Sequence, residues 1–197
     1  MKSPLPLTLD KTGFVKNTRH LKSPNFSLRQ PNVQIELIVI HAISMPPDQF
    51  GGSDIEKLFT NKLNFNDHPF YKTIENLKVS AHFLIKRTGE LIQFVSCLNK
   101  AWHAGASHWR EKTDCNEFSI GIELEGSDKT DFTELQYEHL NELIKLLCQH
   151  YPIKDILGHS DIAPERKTDP GPSFDWVRLT KIAKLSEEKL PFGSASR

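Results

Sequence analysis

The chain has 197 residues, 38% of them hydrophobic and 25% charged, and its 25 basic and 25 acidic side chains cancel to a formal charge of zero. That is one ordinary domain with enough apolar material for a real core, and it lacks the net positive field that nucleic acid or an anionic membrane selects. Cys97, Cys115 and Cys148 are odd in number and have no Cys-x-x-Cys spacing, so they read as reduced thiols of a cytoplasmic protein rather than a disulfide framework.

Residues 1–34 are polar and broken by Pro4, Pro6, Pro24 and Pro31, which predicts an irregular arm packed on a domain that runs from 35 to 188. The first ten residues have no unbroken apolar run and read as no secretory signal, and no stretch reaches the roughly twenty apolar residues of a membrane span. Residues 35–40 are short, branched and apolar, a buried strand that delivers His41 to the sheet's edge. Taken alone, such a histidine reads as a hydrogen-bonded core residue.

Residues 46–52 form a loop by composition, and Ser53 and Glu56 have the spacing of a capping box before a short helix carrying Leu58 and Phe59. A second short helix follows Pro69. Residues 79–86 and 91–95 read as a hairpin about Thr88-Gly89, with His82 lining a site without ligating in it. Trp102 and His103 lie in a loop whose composition suits either a pocket wall or plain aromatic packing. Residues 118–125 alternate cleanly, placing Phe118, Ile120, Ile122 and Leu124 on one face and Ser119, Gly121, Glu123 and Glu125 on the other. The two acids then face solvent, or, if a helix covers that face, they face a cleft where one serves as a base.

Thr133 and Gln136 make a second capping box, opening a helix whose Leu140, Leu143, Ile144, Leu147 and Tyr151 form one stripe before Pro152 stops it. Residues 156–157 form a brief strand leading to His159. A final helix presents Trp176, Leu179 and Ile182, and residues 189–197 are a polar tail. Strands interspersed with helices imply an α/β fold, a sheet flanked by helices.

Chemistry concentrates in residues 158–172, Gly-His-Ser-Asp-Ile-Ala-Pro-Glu-Arg-Lys-Thr-Asp-Pro-Gly-Pro. His159 offers a neutral ring nitrogen and Asp169 an anionic oxygen, a hard and borderline pair suited to a metal. Pro170 restricts Asp169 to an extended backbone, and Pro170-Gly171 fits the centre of a type II turn. If residues 167–169 are extended, Lys167 and Asp169 point the same way and set a cation beside a ligand.

With its His41 strand, its 79–82 and 101–105 segments, residues 119–126 and the long 158–172 motif, the chain resembles the zinc-dependent N-acetylmuramoyl-L-alanine amidases. It is most similar to the cytosolic branch acting on 1,6-anhydro-muropeptides. The resemblance covers most of the chain apart from its ends. It implies a single domain with a central mixed β-sheet flanked by helices, as in peptidoglycan-recognition proteins. It also implies one zinc ion per chain held by His41, His159 and Asp169, with Glu123 as general base and then acid and Lys167 as stabiliser of the oxyanion. Trp102 and Arg166 match loops around the family's muropeptide site, and Glu125 is left as a supporting acid. Ala42 departs from the asparagine common after the first ligand, which bears on one polar substrate contact and not on the metal.

The expected reaction is hydrolysis of the amide between (anhydro-)N-acetylmuramic acid and L-alanine, in cell-wall recycling. Zinc lowers the pKa of bound water from 15.7 to about 7, and the activated water attacks the carbonyl. The partner is then a small muropeptide, with no nucleic acid, no membrane and no obligate protein. A non-cutting binding module of the same fold is the main rival, and its mark is a missing ligand; here the full set is present. An exported, wall-attacking amidase is the second, which the absent signal and unpaired cysteines disfavour.

Overall fold

The computed structural model describes residues 6–183, 189 and 190. Residues 6–34, expected to be irregular, carry four short strands: β1 (Thr8–Leu9), β2 (Val15–Lys16), β3 (Arg19–His20) and β4 (Phe26–Leu28). Polar groups from distant segments hold them. The Gln93 side chain accepts from the Val15 amide at 2.7 Å, and the half-buried Arg29 donates to the carbonyls of Asn116, Glu117 and Ser119 at 2.9, 2.6 and 2.7 Å. No local pattern signals partners so far along the chain.

The remaining strands and α-helices are β5 (Leu37–Ile43), α1 (Asp54–Phe59), α2 (Pro69–Lys72), β6 (Phe83–Ile85), β7 (Leu91–Gln93), β8 (Asn99–Ala101), β9 (His108–Trp109) and β10 (Lys112–Thr113). They are followed by β11 (Ser119–Glu125), α3 (Glu134–His150), β12 (Asp155–Gly158), α4 (His159–Ile162) and α5 (Trp176–Ala183). Six strands make one mixed sheet in the order β12-β5-β11-β6-β7-β3, parallel throughout except for the β6–β7 hairpin. The expected α/β architecture is therefore observed.

Alternation along the central strands divides the interior. Ile38, Ile40, Ile120, Ile122 and Leu124 face α3 and α5, meeting Leu140, Leu143, Ile144, Leu147 and Leu179 in the largest apolar cluster. Each such side chain stabilises the fold by about 1.5–3 kcal/mol relative to exposure. A second cluster joins Ile55, Leu58 and Phe59 of α1 to Leu84 and Ile92. A third packs Val39 and Leu157 against Ile162 of α4. Helices thus cover both faces, so the β11 acids are buried rather than solvated.

The α3 box forms as read: Thr133 Oγ1 accepts from the Gln136 amide and Gln136 Oε1 from the Thr133 amide. The Ser53 box does not, because buried Glu56 pairs instead with Arg19 at 2.8 Å and Lys86 at 3.3 Å. The strand expected over 79–86 is regular only at β6, and the short helix α4 was not anticipated. The Asp169–Pro170 peptide is cis, and Gly171 has φ +80°, the positive value that the expected type II turn requires at its second central residue. The tail expected at 189–197 lies outside the described residues except for Lys189 and Leu190, and Leu190 is buried in the main core. No helix among the described residues is long and apolar enough to cross a membrane.

Candidate metal centre and active site

Parallel register assembles the site. His41 pairs with Glu123 across β5 and β11, and Ile40 pairs with Gly158 across β5 and β12, so His159 follows level with His41. Three chemically active side chains therefore stand side by side at the carboxyl ends of adjacent parallel strands, where open α/β sheets gather ligands. Asp169 returns to them because the Ser160 amide donates to its carbonyl at 2.9 Å. Gly158 makes room for this return, since a Cβ there would lie 2.7 Å from Pro170 Cδ.

His41 Nδ1 lies 3.0 Å from His159 Nδ1 and 3.1 Å from Asp169 Oδ2, and His159 Nδ1 is also 3.1 Å from that oxygen. His159 Nε2 is 3.0 Å from the Ala104 carbonyl, which can only accept, so the ring's proton sits on Nε2 and Nδ1 turns a lone pair inward. Burial, and then the neighbouring His159, pull His41 down to about 4, so its ring is neutral. Burial raises the Asp169 carboxyl, but its contacts to His159 and His41 outweigh this and hold it below the usual carboxylate range. Two imidazole nitrogens and a carboxylate oxygen converging on one point make a set of three donor atoms of the kind that holds a cation. Ligands bound at about 2.0–2.1 Å around a tetrahedral ion stand roughly 3.3 Å apart, close to the spacing found. The trio fits a metal, and it is the only such group of three among the described residues.

Glu123 is 9% exposed, and its Oε2 is buried without a hydrogen-bond partner. Burial first, and Asp169 second, raise it well above its ordinary 4.5, while Lys167 opposes the rise. It floors a cleft of about 250 Å³ with His159 and Asp169, walled on one side by Ile43, Leu58, Phe59 and Val79. A more polar hollow of about 430 Å³ reaches Ser44, Asp48 and Ser127 and shares Ala42, Arg166, Lys167 and Asp169 with the first. Lys167 thus lines both hollows beside the cluster.

Other expected residues fare differently. Arg166 lines both hollows but donates to the carbonyls of Ala104 and Ala106 at 2.7 and 2.8 Å, fastening that loop to the rim. Trp102 does not line either hollow; its indole N–H donates to Ser27 Oγ at 3.3 Å, toward β4. His82 is corrected from a lining residue to a core one. It is 0% exposed, its Nδ1 accepts from the Gly121 amide at 3.1 Å, and its Nε2 is 3.0 Å from the Asn99 carbonyl. Burial, aided by Arg29, pulls it down to about 3. Glu125 accepts from the Gly51 and Arg87 amides at 2.6 and 3.0 Å and so ties two loops together.

The residue that sequence reasoning left undecided is His103. Its Nδ1 is 2.9 Å from His41 Nε2 and its Nε2 is 3.1 Å from Ser119 Oγ. The available signal was Gly121, a glycine inside a strand, which often marks close approach by another group. A Cβ there would fall 2.4 Å from His103 Cγ.

Fold and cluster together define the class first: an α/β enzyme with a two-histidine, one-carboxylate site able to hold a metal ion. Residues 31–172 match the family described as N-acetylmuramoyl-L-alanine amidase, and the chain belongs to that family. It is 46% identical over 181 residues to the 1,6-anhydro-N-acetylmuramyl-L-alanine amidase AmpD of Enterobacter cloacae, covering 91% of this chain and 97% of that one. A crystal structure of a selenomethionine AmpD derivative shares the fold at a TM-score of 0.86 and 46% identity, over 88% of this chain and 98% of that one. The amidase AmiD from E. coli, solved with the substrate anhydro-N-acetylmuramic acid-L-Ala-D-gamma-Glu-L-Lys, is 30% identical with a TM-score of 0.55. That match covers 88% of this chain and 65% of AmiD. The family resemblance and the enzyme class read from the motifs are thereby borne out.

Proposed function

We propose that this chain hydrolyses the amide joining 1,6-anhydro-N-acetylmuramic acid to L-alanine in small muropeptides, as a step of cell-wall recycling in the cytoplasm. The observation that carries the reading is the convergence of His41 Nδ1, His159 Nδ1 and Asp169 Oδ2 within 3.0–3.1 Å, beside an unpartnered buried Glu123. The named relatives supply the bond and the substrate class, and the three unpaired cysteines support the cytoplasmic setting.

His41, His159 and Asp169 would hold zinc, which when bound lowers the pKa of water and polarises the scissile carbonyl. Glu123 Oε2, unengaged by the protein, takes the proton from the attacking water and delivers it to the departing alanine nitrogen. A carboxyl in a dry pocket is basic enough for the first transfer, and its conjugate acid is strong enough for the second. The Lys167 ammonium meets the negative charge that develops on the carbonyl oxygen. Arg166 holds the rim at Ala104 and Ala106, and the apolar wall of Ile43, Leu58, Phe59 and Val79 keeps bulk water from the reacting groups. The test is incubation of purified protein with an anhydromuramyl-peptide, with and without chelator, with mass spectrometry of the released peptide. Cleavage abolished by chelator and restored by zinc is expected; cleavage that survives chelation, or binding without cleavage, would refute the proposal.

A further inference from the structure

His41 presents Nδ1 to the cluster and Nε2 to the interior, and the interior contact is another histidine. For Nδ1 to offer a lone pair, the single proton of the neutral ring must sit on Nε2. That proton then needs an acceptor, and His103 Nδ1 lies 2.9 Å away. His103 can accept there only if its own proton is on Nε2, which stands 3.1 Å from Ser119 Oγ. A hydroxyl both accepts and donates, so the row can run either way. Running outward, from His41 through His103 to Ser119, it opens Nδ1 for a cation. Running inward, it puts a proton on His41 Nδ1 and blocks the site.

Among the described residues, His103 Nδ1 is the one hydrogen-bonding contact of His41 Nε2. The His103 ring is held in place by backbone means: the amides of His103 and Ala104 donate to Asn116 Oδ1 at 3.0 and 2.8 Å, and Gly121 leaves the space the ring occupies. His41 and His103 meet edge to face, with ring centroids 5.0 Å apart. His159 reaches the same end by a simpler route, since the Ala104 carbonyl can only accept. The two histidines are therefore oriented by different devices, one fixed and one reversible.

We propose that His103, backed by Ser119, is a positioning residue for the metal site: it accepts the His41 Nε2 proton and so keeps the Nδ1 lone pair turned toward the cation. The inference rests on the proposed zinc site and adds how one of its ligands is set.

The experiment compares metal-stripped wild type, His103→Phe, His103→Gln and Ser119→Ala. Zinc affinity is read by competition with a chromogenic chelator, and the His41 tautomer by long-range proton–nitrogen NMR. Phenylalanine keeps the volume of the ring but has no acceptor, whereas glutamine keeps an acceptor but fills the space poorly. Positioning therefore predicts zinc binding weakened about 10–100-fold in His103→Phe, the usual effect of losing a hydrogen-bond partner behind a ligand, and largely recovered in His103→Gln. A packing role predicts the opposite order. The wild-type His41 should carry its proton on Nε2, and His103→Phe should show a mixture of tautomers. Should His103→Phe not fold, Ser119→Ala serves, because it strands the His103 Nε2 proton and should weaken zinc and mix the tautomers in the same direction. Wild-type zinc affinity and tautomer in the folded variant would overturn the proposal alone. A wild-type chain that takes up no zinc would overturn the metal site and this inference with it.

Discussion

Replacing Glu123 with glutamine removes a proton-transferring group while keeping the shape of the cleft floor. The side chain is 9% exposed and its Oε2 has no hydrogen-bond partner, so substitution breaks no hydrogen bond of that atom. A positioned acid–base group contributes about 10²–10⁴-fold to rate. Glu123→Gln should therefore lower kcat at least about a hundredfold, or roughly 2.7 kcal/mol of barrier. Metal content should stay stoichiometric, because Glu123 is not among the three converging acceptors. Burial adds a second consequence. With its pKa well above 4.5, the folded chain keeps a proton that the unfolded chain releases, so this group costs stability progressively as pH rises above about 4.5. Glutamine carries no such cost. Metal-free Glu123→Gln should melt above metal-free wild type near pH 8, and the two should converge near pH 4. Peptide release by mass spectrometry, metal analysis and calorimetry at the two pH values check all three effects. Turnover within tenfold of wild type would remove Glu123 from proton transfer, and a lower melting point near pH 8 would refute the buried-acid account.

Asp169→Ala should lose stoichiometric metal on dialysis, since it removes the anionic member of the trio; elemental analysis showing one retained ion would contradict the ligand set. Lys167→Ala should lower kcat and kcat/KM together by about 10²–10³-fold with metal retained, the signature of an interaction made in the transition state. A rise in KM alone would make Lys167 a binding residue. His41 and His82 are held down to about 4 and about 3 by burial, below the ordinary 6.5. The unfolded chain then binds more protons below pH 6.5, so denaturant midpoints of metal-free protein should fall as pH drops from 6.5 toward 3. A flat midpoint over that window would refute the assignment of neutral buried rings. His82→Ala should destabilise the protein by about 1–3 kcal/mol, because it leaves the Gly121 amide without its acceptor. KM should be unchanged, and raised KM at unaltered stability would return His82 to the substrate site.

Much of the site was legible because its markers are local or carried by a long motif. The alternation of residues 118–125 announced a strand with Glu123 and Glu125 on one face, and Thr133 with Gln136 announced the start of α3. The 158–172 motif brought His159 and Asp169 together with Lys167. Identical spacing misled at Ser53, where Glu56 had stronger partners in Arg19 and Lys86 than a helix terminus offers. The family resemblance puts the Trp102 loop near the substrate and the hairpin reading puts His82 there, but the fold turns Trp102 toward Ser27 and encloses His82.

By itself, then, the order of residues determined the α/β class, the elements that carry the chemistry and the set of side chains able to act. Only the tertiary structure decided the roles within that set. Glu125 became a clip between loops, Arg29 a tie between the amino-terminal strands and β11, and His103 the partner of His41. The physical reason is range: periodicity and capping act within a few residues, whereas His41 meets His103 across 62 positions and His159 across 118. Those meetings depend on strand order and register, through which the low-dielectric interior selects a partner for each buried polar atom.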